Sequence, residues 1–497
     1  MTKRGKNMKD NNCLFVIFGG TGDLTKRKLI PALYNLSIEG KLSSKFAIVA
    51  IGRKDYTNDY YINLMKEATK EFSKDTFEET KWKEFCNIIS YNKFDFSSEF
   101  NGYKKLNIFL KQLDIQYGTK GNRIFYLAVP PNSFEIIVEQ LSKNHMLENK
   151  ETFERVMIEK PFGSNLATAQ KLNKSILKHL SEKNIFRIDH YLGKEMIQNI
   201  MAIRFGNSIF EPLWNHNYID NIQIISSEQI GVENRGAYYE STGILKDMFQ
   251  NHILQMLSLI TMEPPLNLEP ESIRDEKVKA IRALRTYNSI SAKENIVMGQ
   301  YDRDKDKKLK AYREEIKVEP QSLTPTFIAL KVSIDNFRWS GVPFYIRVGK
   351  RLNDKCTKII IQFKQLPGIS NFKEFKKNEP NILVIRIQPS EGIFFQINAK
   401  KPGNDFLIQN IDMDYYQKIK YSNNSTMAYE RLILEAIRNN SSLFTRWDEL
   451  EYSWKYIESI ENSIKDIDYH YPNYISGSSG PIQANELIEK EGNKWWE

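Results

Sequence analysis

Two hydrophobic rhythms divide the chain. In the first part apolar residues come in short unbroken runs, Leu14 to Phe18, Phe46 to Ile51, Ile124 to Val129 and Val156 to Ile158. Runs of that kind suit strands buried on both faces. After three of these runs the apolar positions spread to helical spacing, with Leu29, Leu33 and Leu36 after the first, a helix expected over 133–147 after the third, and Leu166, Ala169 and Leu172 after the fourth. A further strand is expected near 88–94. Strands alternating with helices predict a parallel, doubly wound α/β sheet.

From about residue 218 the rhythm changes. Ile222 and Ile224, Ile328, Leu330, Val332 and Ile334, then Phe344, Ile346 and Val348, Ile359, Ile361 and Phe363, and Leu383, Ile385 and Ile387 alternate with polar neighbours. A period of two without intervening helices marks half-buried strands of an antiparallel sheet. Helices are expected over 239–260, 272–284, 428–438 and 447–464. The chain therefore divides into a Rossmann-like dinucleotide-binding domain over 1–195 and an α+β domain over 196–497. The second is built on a large, mainly antiparallel sheet flanked by helices, one broad face of which could serve as a subunit interface.

Between the first run and its helix lies Gly19-Gly20-Thr21-Gly22-Asp23-Leu24. Strand, glycine turn and helix are the parts that let a pyrophosphate reach backbone N–H groups at a helix start. The sixth position is Leu24, so the turn is not a full GxGxxG, and a generic glycine turn is the alternative. The second strand ends in Gly52-Arg53-Lys54. A site for NAD wants a carboxylate there to hold the ribose hydroxyl, whereas a cation suits a 2′-phosphate. NADP is therefore expected, with Arg53 as the main contact and Lys54 beside it.

The densest chemistry is Arg187-Ile188-Asp189-His190-Tyr191-Leu192-Gly193-Lys194-Glu195, where a strand hands over to a helix. A helix starting near Asp189 would put His190 and Lys194 on one face, able to grip a phosphate, and on the segment alone an ordinary N-cap at Asp189 beside solvated His190 and Lys194 is an equal alternative. Asp247-Met248-Phe249-Gln250-Asn251-His252 holds a histidine off the apolar face formed by Phe249, Ile253, Met256 and Ile260. Taken alone, His252 reads more readily as a hydrogen-bonded residue of a packed helix than as a base.

Composition narrows the partners. Among 497 residues the formal charge is +9, which suits phosphorylated small molecules or nucleic acid. No patch interleaves basic and aromatic residues, so nucleic acid is disfavoured. Cys13, Cys86 and Cys356 are widely spaced and suggest neither a disulfide framework nor a thiolate metal site. The polar start over 1–12 lacks the apolar stretch of a signal peptide, and no apolar run reaches the roughly 18 residues of a membrane span. The reading is a cytoplasmic protein, off the membrane. The mixed charge run 302–310 reads as a solvated loop.

The nine-residue stretch 187–195 resembles the signature of the glucose-6-phosphate dehydrogenase family. The resemblance extends to Gly19, Gly22, Asp23 and Leu24, to Glu159-Lys160-Pro161-Phe162-Gly163, to Asp247 and Gln250-Asn251-His252, and onward to Arg446-Trp447-Asp448-Glu449. It implies oxidation of glucose 6-phosphate at C1 with hydride transfer to NADP, the first step of the oxidative pentose phosphate pathway. His252 would be the general base and Asp189 its orienting carboxylate. The substrate phosphate would meet His190, Tyr191, Lys194 and Lys160, with Lys350 and the weaker Lys355. Glu228 and Asp247 would accept from sugar hydroxyls. Tyr126, Pro130, Glu159 and Lys160 would line the nicotinamide side, and Asp95 and Phe96 the adenosine. Relatives form dimers or tetramers, and the Lys160-Pro161 bond is often cis in them. No metal is needed. A second, structural NADP site is not indicated, although Arg386 and Lys401 are present. A sugar oxidoreductase of the same plan acting on unphosphorylated substrates is the competing reading, disfavoured by His190 and Lys194.

Overall fold

The computed structural model describes residues 12–97, 100–147, 152–306, 308–365, 379–417 and 424–496. All but the last residue of the polar start, and Lys307 of the charge run, lie outside these. The chain forms two compact units, one of Met1–Lys194, Asn267–Arg274 and Ile419–Glu451, the other of Glu195–Leu266, Asp275–Lys418 and Tyr452–Glu497. The sequence reading drew a single boundary after Glu195. The first unit instead recruits two later segments, because one of them supplies its edge strand.

The first unit holds a seven-stranded sheet. Its strands are β1 (Cys13–Phe18), β2 (Phe46–Gly52), β3 (Ile89–Lys93), β4 (Arg123–Leu127), β5 (Glu154–Ile158) and β6 (Ile185–Ile188), with the short strand Phe444–Thr445 at the edge. The order is Phe444–Thr445, β6, β5, β4, β1, β2, β3. All neighbouring pairs of β1 to β6 are parallel, and the edge strand runs antiparallel to β6. This is the doubly wound order, with the direction of progression reversing between β1 and β4, where ligands bind in such sheets. β1 and β2 are buried along their whole length, as their unbroken apolar runs require.

Local chemistry sets the helix ends. Asn165 accepts from the Thr168 N–H at 2.9 Å and starts Leu166–Ile176 with a capping box. The helix expected over 133–147 spans only Phe134–Lys143. His145 takes a φ of 56°, and the Met146 N–H turns back to the Leu141 carbonyl at 2.9 Å. That left-handed closure ends the helix while keeping Met146 and Leu147 in the core.

The second unit holds an eight-stranded sheet of β7 (Ile219–Ser227), β8 (Ile296–Gly299), β9 (Phe327–Val332), β10 (Phe344–Gly349), β11 (Cys356–Phe363), β12 (Ile382–Gln388), β13 (Gly392–Lys400) and β14 (Ile408–Tyr416). The order is β14, β13, β12, β11, β7, β10, β9, β8. Every pair is antiparallel except β7 with β10, which runs parallel at the centre. Ile411, Met413 and Tyr415 share one face of β14 and are 36%, 47% and 56% exposed.

The single helix expected over 239–260 is three pieces. Gly236–Ile244 is interrupted at Gly243, whose φ of 56° and ψ of −174° are not helical. A π-helix follows over Leu245–Ile253, then an α-helix over Leu254–Thr261. No helix among the described residues is long and apolar enough to cross a membrane.

Candidate active site

In the first unit the carboxyl ends of β1 and β2 meet at the glycine turn. The Gly19 and Gly20 N–H groups both donate to the Ile51 carbonyl, at 3.1 and 2.7 Å, and Gly22 N–H donates to the Gly19 carbonyl at 2.9 Å. Thr25 Oγ1 also donates to the Gly19 carbonyl, at 2.9 Å. A Cβ on Gly19 would stand 2.1 Å from the Ala128 carbonyl oxygen, at a φ of 89°. One on Gly20 would stand 2.8 Å from the Ala50 Cβ. The turn is thus wedged between neighbouring strands with room for hydrogen only. Gly19→Ala is expected to cost about 2–4 kcal/mol, combining backbone strain with overpacking. Denaturant unfolding should show a lower midpoint, and an unchanged midpoint would contradict this packing.

Thr21, Gly22 and Leu24 are half-buried and Asp23 is exposed. Arg53 and Lys54, just past β2, are exposed, and Arg53 makes no ion pair among the described residues. Lys54 lies over the Tyr56 ring at 5.7 Å, and its carbonyl accepts from the Tyr91 hydroxyl at 2.7 Å. Beyond β3, Asp95 accepts from the Ser97 N–H at 2.9 Å. The Phe96 ring is committed to the core, edge-on to Phe18 at 5.9 Å, so it offers a ligand only its main chain. Lys28, passed over in the sequence, is half-buried in the short π-helix Thr25–Leu29 after the glycines; burial and then Arg27 push its pKa down.

At the ends of β4 and β5 a buried hydrogen-bonded set appears. The Tyr126 and Tyr429 hydroxyls donate to the same Glu159 oxygen, at 2.6 and 3.2 Å. Burial raises the Glu159 pKa, opposed by those hydroxyls and by Lys160. The Lys160-Pro161 bond is cis, and Pro130 is exposed at the end of the β4 connection. Tyr429 comes from the helix Asn424–Ile437 and stacks on His190, with rings 4° apart in plane and 6.5 Å between centroids. No local pattern marks Tyr429 in the sequence; only the fold brings it here.

The stretch after β6 departs from expectation. The helix begins at Glu195, not near Asp189. Asp189 Oδ1 instead accepts from the Tyr191 N–H at 3.0 Å. Leu192, Gly193 and Lys194 then donate to the carbonyls of Asp189, His190 and Tyr191 at 3.1, 3.2 and 2.9 Å. His190 and Lys194 are gathered by this run of tight turns rather than by one helical face. Lys194 Nζ lies 4.2 Å from the Tyr191 ring centre, and the His190 ring is 5.1 Å from it. Asp189, Tyr191 and Lys194 are buried and His190 is half-buried.

In the second unit the parallel pair β7 and β10 delivers Glu228 and Lys350 just past their carboxyl ends. The Glu228 N–H donates to the Gly349 carbonyl at 2.9 Å, and the Glu228 carbonyl accepts from Leu352 at 3.0 Å. Lys350 Nζ pairs with Glu228 Oε2 at 2.5 Å and Asp247 Oδ2 at 3.4 Å. It lies 5.3 Å from the centre of the Tyr239 ring, and the Tyr474 hydroxyl donates to its carbonyl at 2.8 Å. The Lys350 side chain is 1% exposed and that of Asp247 7%, whereas that of Glu228 is 34% exposed. His252 rides on the same π-helix as Asp247 and is buried. Lys355 stays exposed before β11 and makes no ion pair among the described residues. Neither Tyr239 nor Tyr474 was singled out by the sequence reading.

Comparison with known proteins follows the two units. The family models described as "Glucose-6-phosphate dehydrogenase, NAD binding domain" and "Glucose-6-phosphate dehydrogenase, C-terminal domain" match residues 16–199 and 201–496. Glucose-6-phosphate 1-dehydrogenase of Bacillus subtilis is 43% identical over 493 residues, covering 99% of each chain. A solved glucose-6-phosphate dehydrogenase in complex with its substrate glucose-6-phosphate superposes with a TM-score of 0.89 at 35% identity, over 99% of this chain and 100% of that one. The Mycobacterium avium enzyme superposes with a TM-score of 0.84 at 31% identity, over 98% of both.

Proposed function

The chain belongs to the glucose-6-phosphate dehydrogenase family, and from that premise we propose that it oxidises D-glucose 6-phosphate at C1 to 6-phospho-D-glucono-1,5-lactone, with NADP as hydride acceptor. That is the first step of the oxidative pentose phosphate pathway. The observation that carries the reading is the cluster of the buried Lys350 and Asp247 with the half-buried Glu228, Asp247 sharing its π-helix with His252. A cation and two carboxylates held together in this way suit a ligand with several hydroxyls, and an imidazole suits removal of a hydroxyl proton near neutral pH.

In this reading His252 takes the C1 hydroxyl proton as the C1 hydride departs. Asp189 orients the imidazole and stabilises the imidazolium that forms. Glu228 and Asp247 accept from the sugar hydroxyls. His190, Tyr191 and Lys194, with Lys160, hold the phosphate, and Lys350 and the more peripheral Lys355 add positive charge. NADP, when bound, supplies the nicotinamide that receives the hydride.

Its pyrophosphate suits the glycine turn that ends β1 and leads into the helical segment from Thr25. Gly20, Thr21, Gly22, Asp23 and Leu24 complete that cradle, and Asp95 and the Phe96 main chain serve the adenosine. Tyr126, Pro130, Glu159 and Lys160 line the nicotinamide side. The exposed Arg53 and Lys54 suit a 2′-phosphate. Changing Arg53 to Gln should raise the NADP Michaelis constant about 10- to 100-fold, the loss of a charge-assisted contact, and change that for NAD far less. Equal losses for the two cofactors would refute the 2′-phosphate assignment.

The exposed Ile411, Met413 and Tyr415 on β14 suit a contact between copies of the chain, a homodimer or homotetramer in the cytoplasm. An absorbance assay for reduced nicotinamide with glucose 6-phosphate, glucose and each cofactor tests the whole reading. Turnover with glucose 6-phosphate and NADP, and little with glucose, is expected. Equal turnover of glucose would favour an enzyme for unphosphorylated sugars.

A further inference from the structure

Asp247 and His252 are five residues apart, a spacing that an ordinary helix would not bring to one side. In an α-helix, positions five apart point roughly 140° away from each other. The π-helix Leu245–Ile253 closes its turns one residue wider, so that residues five apart lie about one turn on and face the same way. Both residues are buried, at 6% and 1% exposure. The wide winding is therefore what lets one short segment present a carboxylate and an imidazole together.

Such winding is rare and needs support. Its entry is fixed by the break at Gly243 and by the Ile244 N–H, which donates to the Pro325 carbonyl at 3.1 Å. Its exit is fixed by the buried helix Leu254–Thr261. Between these ends the segment could relax to α geometry by a one-residue shift, which would turn His252 by roughly 100° relative to Asp247.

One side chain stands against that shift. Asn251 Nδ2 donates to the Lys246 carbonyl at 3.0 Å, and Asn251 Oδ1 accepts from the His252 N–H at 2.7 Å. The first group belongs to the peptide unit leading into Asp247, the second to the one leading into His252. We infer that Asn251 is a positioning residue of the reaction, a staple whose amide holds the π-turn open and so fixes Asp247 and His252 on one side. The inference rests on the reading of His252 as the general base. Asn251 itself contacts no reacting atom in this account. It acts through the main chain on His252, which takes the proton, and on Asp247, which accepts from a sugar hydroxyl.

The test uses Asn251→Ala and Asn251→Asp in the full-length enzyme, with His252→Asn in parallel. Steady-state kinetics with glucose 6-phosphate and NADP are measured alongside the stoichiometry of reduced-dinucleotide binding by fluorescence titration. Asn251→Ala should lower kcat about 10- to 100-fold, as a small misplacement of reacting groups does, while binding stays at one dinucleotide per chain. Asn251→Asp keeps the acceptor for the His252 N–H and loses the donor to Lys246, so its kcat should fall between those of Asn251→Ala and the unaltered enzyme. If the alanine variant does not fold, a lowered kcat at full stoichiometry in the aspartate variant supports the staple. A kcat within about twofold of the unaltered enzyme, or a kcat loss matched by an equal loss of binding stoichiometry, overturns it. Should His252→Asn keep full activity, the base assignment itself fails. A large loss in His252→Asn beside full activity in Asn251→Ala removes the staple alone.

Discussion

Replacing His252 with asparagine should lower kcat by about 10²- to 10⁴-fold, the range that general-base catalysis contributes. The Michaelis constants for sugar phosphate and dinucleotide should change only a few-fold. The split follows from what each side chain can do. Asparagine fills part of the volume of the ring and can hold a hydrogen bond, so a site that buries residue 252 to 1% exposure need not collapse around a cavity. Its amide cannot take up a proton near neutral pH, whereas imidazole can. Steady-state kinetics with a thermal unfolding control would measure this, and a turnover within threefold of the unaltered enzyme would reject His252 as the base.

The second large effect concerns Lys350. Replacing it with methionine keeps the stem and removes the charge, leaving Glu228 and Asp247 facing each other without the ammonium that now sits 2.5 and 3.4 Å from them. Removing one partner of a buried ion pair costs about 3–5 kcal/mol. The Glu228 side chain is about a third exposed and partly screened, so the low end, about 3 kcal/mol, is expected. The Michaelis constant for glucose 6-phosphate should rise by about 100-fold as well, because the carboxylates proposed to accept from the sugar hydroxyls lose the group that fixes their direction. Urea unfolding and substrate kinetics on the same preparation would show both losses. Unchanged stability with an unchanged Michaelis constant would mean that the cluster is decorative.

The features legible in the sequence were those set by local pattern. Unbroken runs against alternating runs separated the doubly wound sheet from the mainly antiparallel one, because side-chain direction along a strand has a fixed period. The glycine turn was legible because its neighbours leave no room for a Cβ. Four things were not. Lys350 and Glu228 are 122 positions apart, and their pairing depends on β7 and β10 being the parallel pair at the centre of a sheet otherwise antiparallel. The helix expected near Asp189 was displaced because its carboxylate bonds the Tyr191 N–H and folds the following residues into tight turns. The winding of 245–253 was hidden because apolar spacing is read against an α-helical period, and a break such as Gly243 leaves no mark in that spacing. Tyr429 reached Glu159 and His190 only through a helix from far along the chain.

The central claim is that the imidazole of His252 removes the proton of the C1 hydroxyl while the carboxylate of Asp189 holds the opposite ring nitrogen. A crystal structure of the enzyme with glucose 6-phosphate bound measures both contacts at once. The account predicts one imidazole nitrogen at about 2.6–3.2 Å from the C1 oxygen and the other at hydrogen-bond distance from Asp189. An imidazole turned away from C1, or a carboxylate other than Asp189 on its far nitrogen, would contradict it.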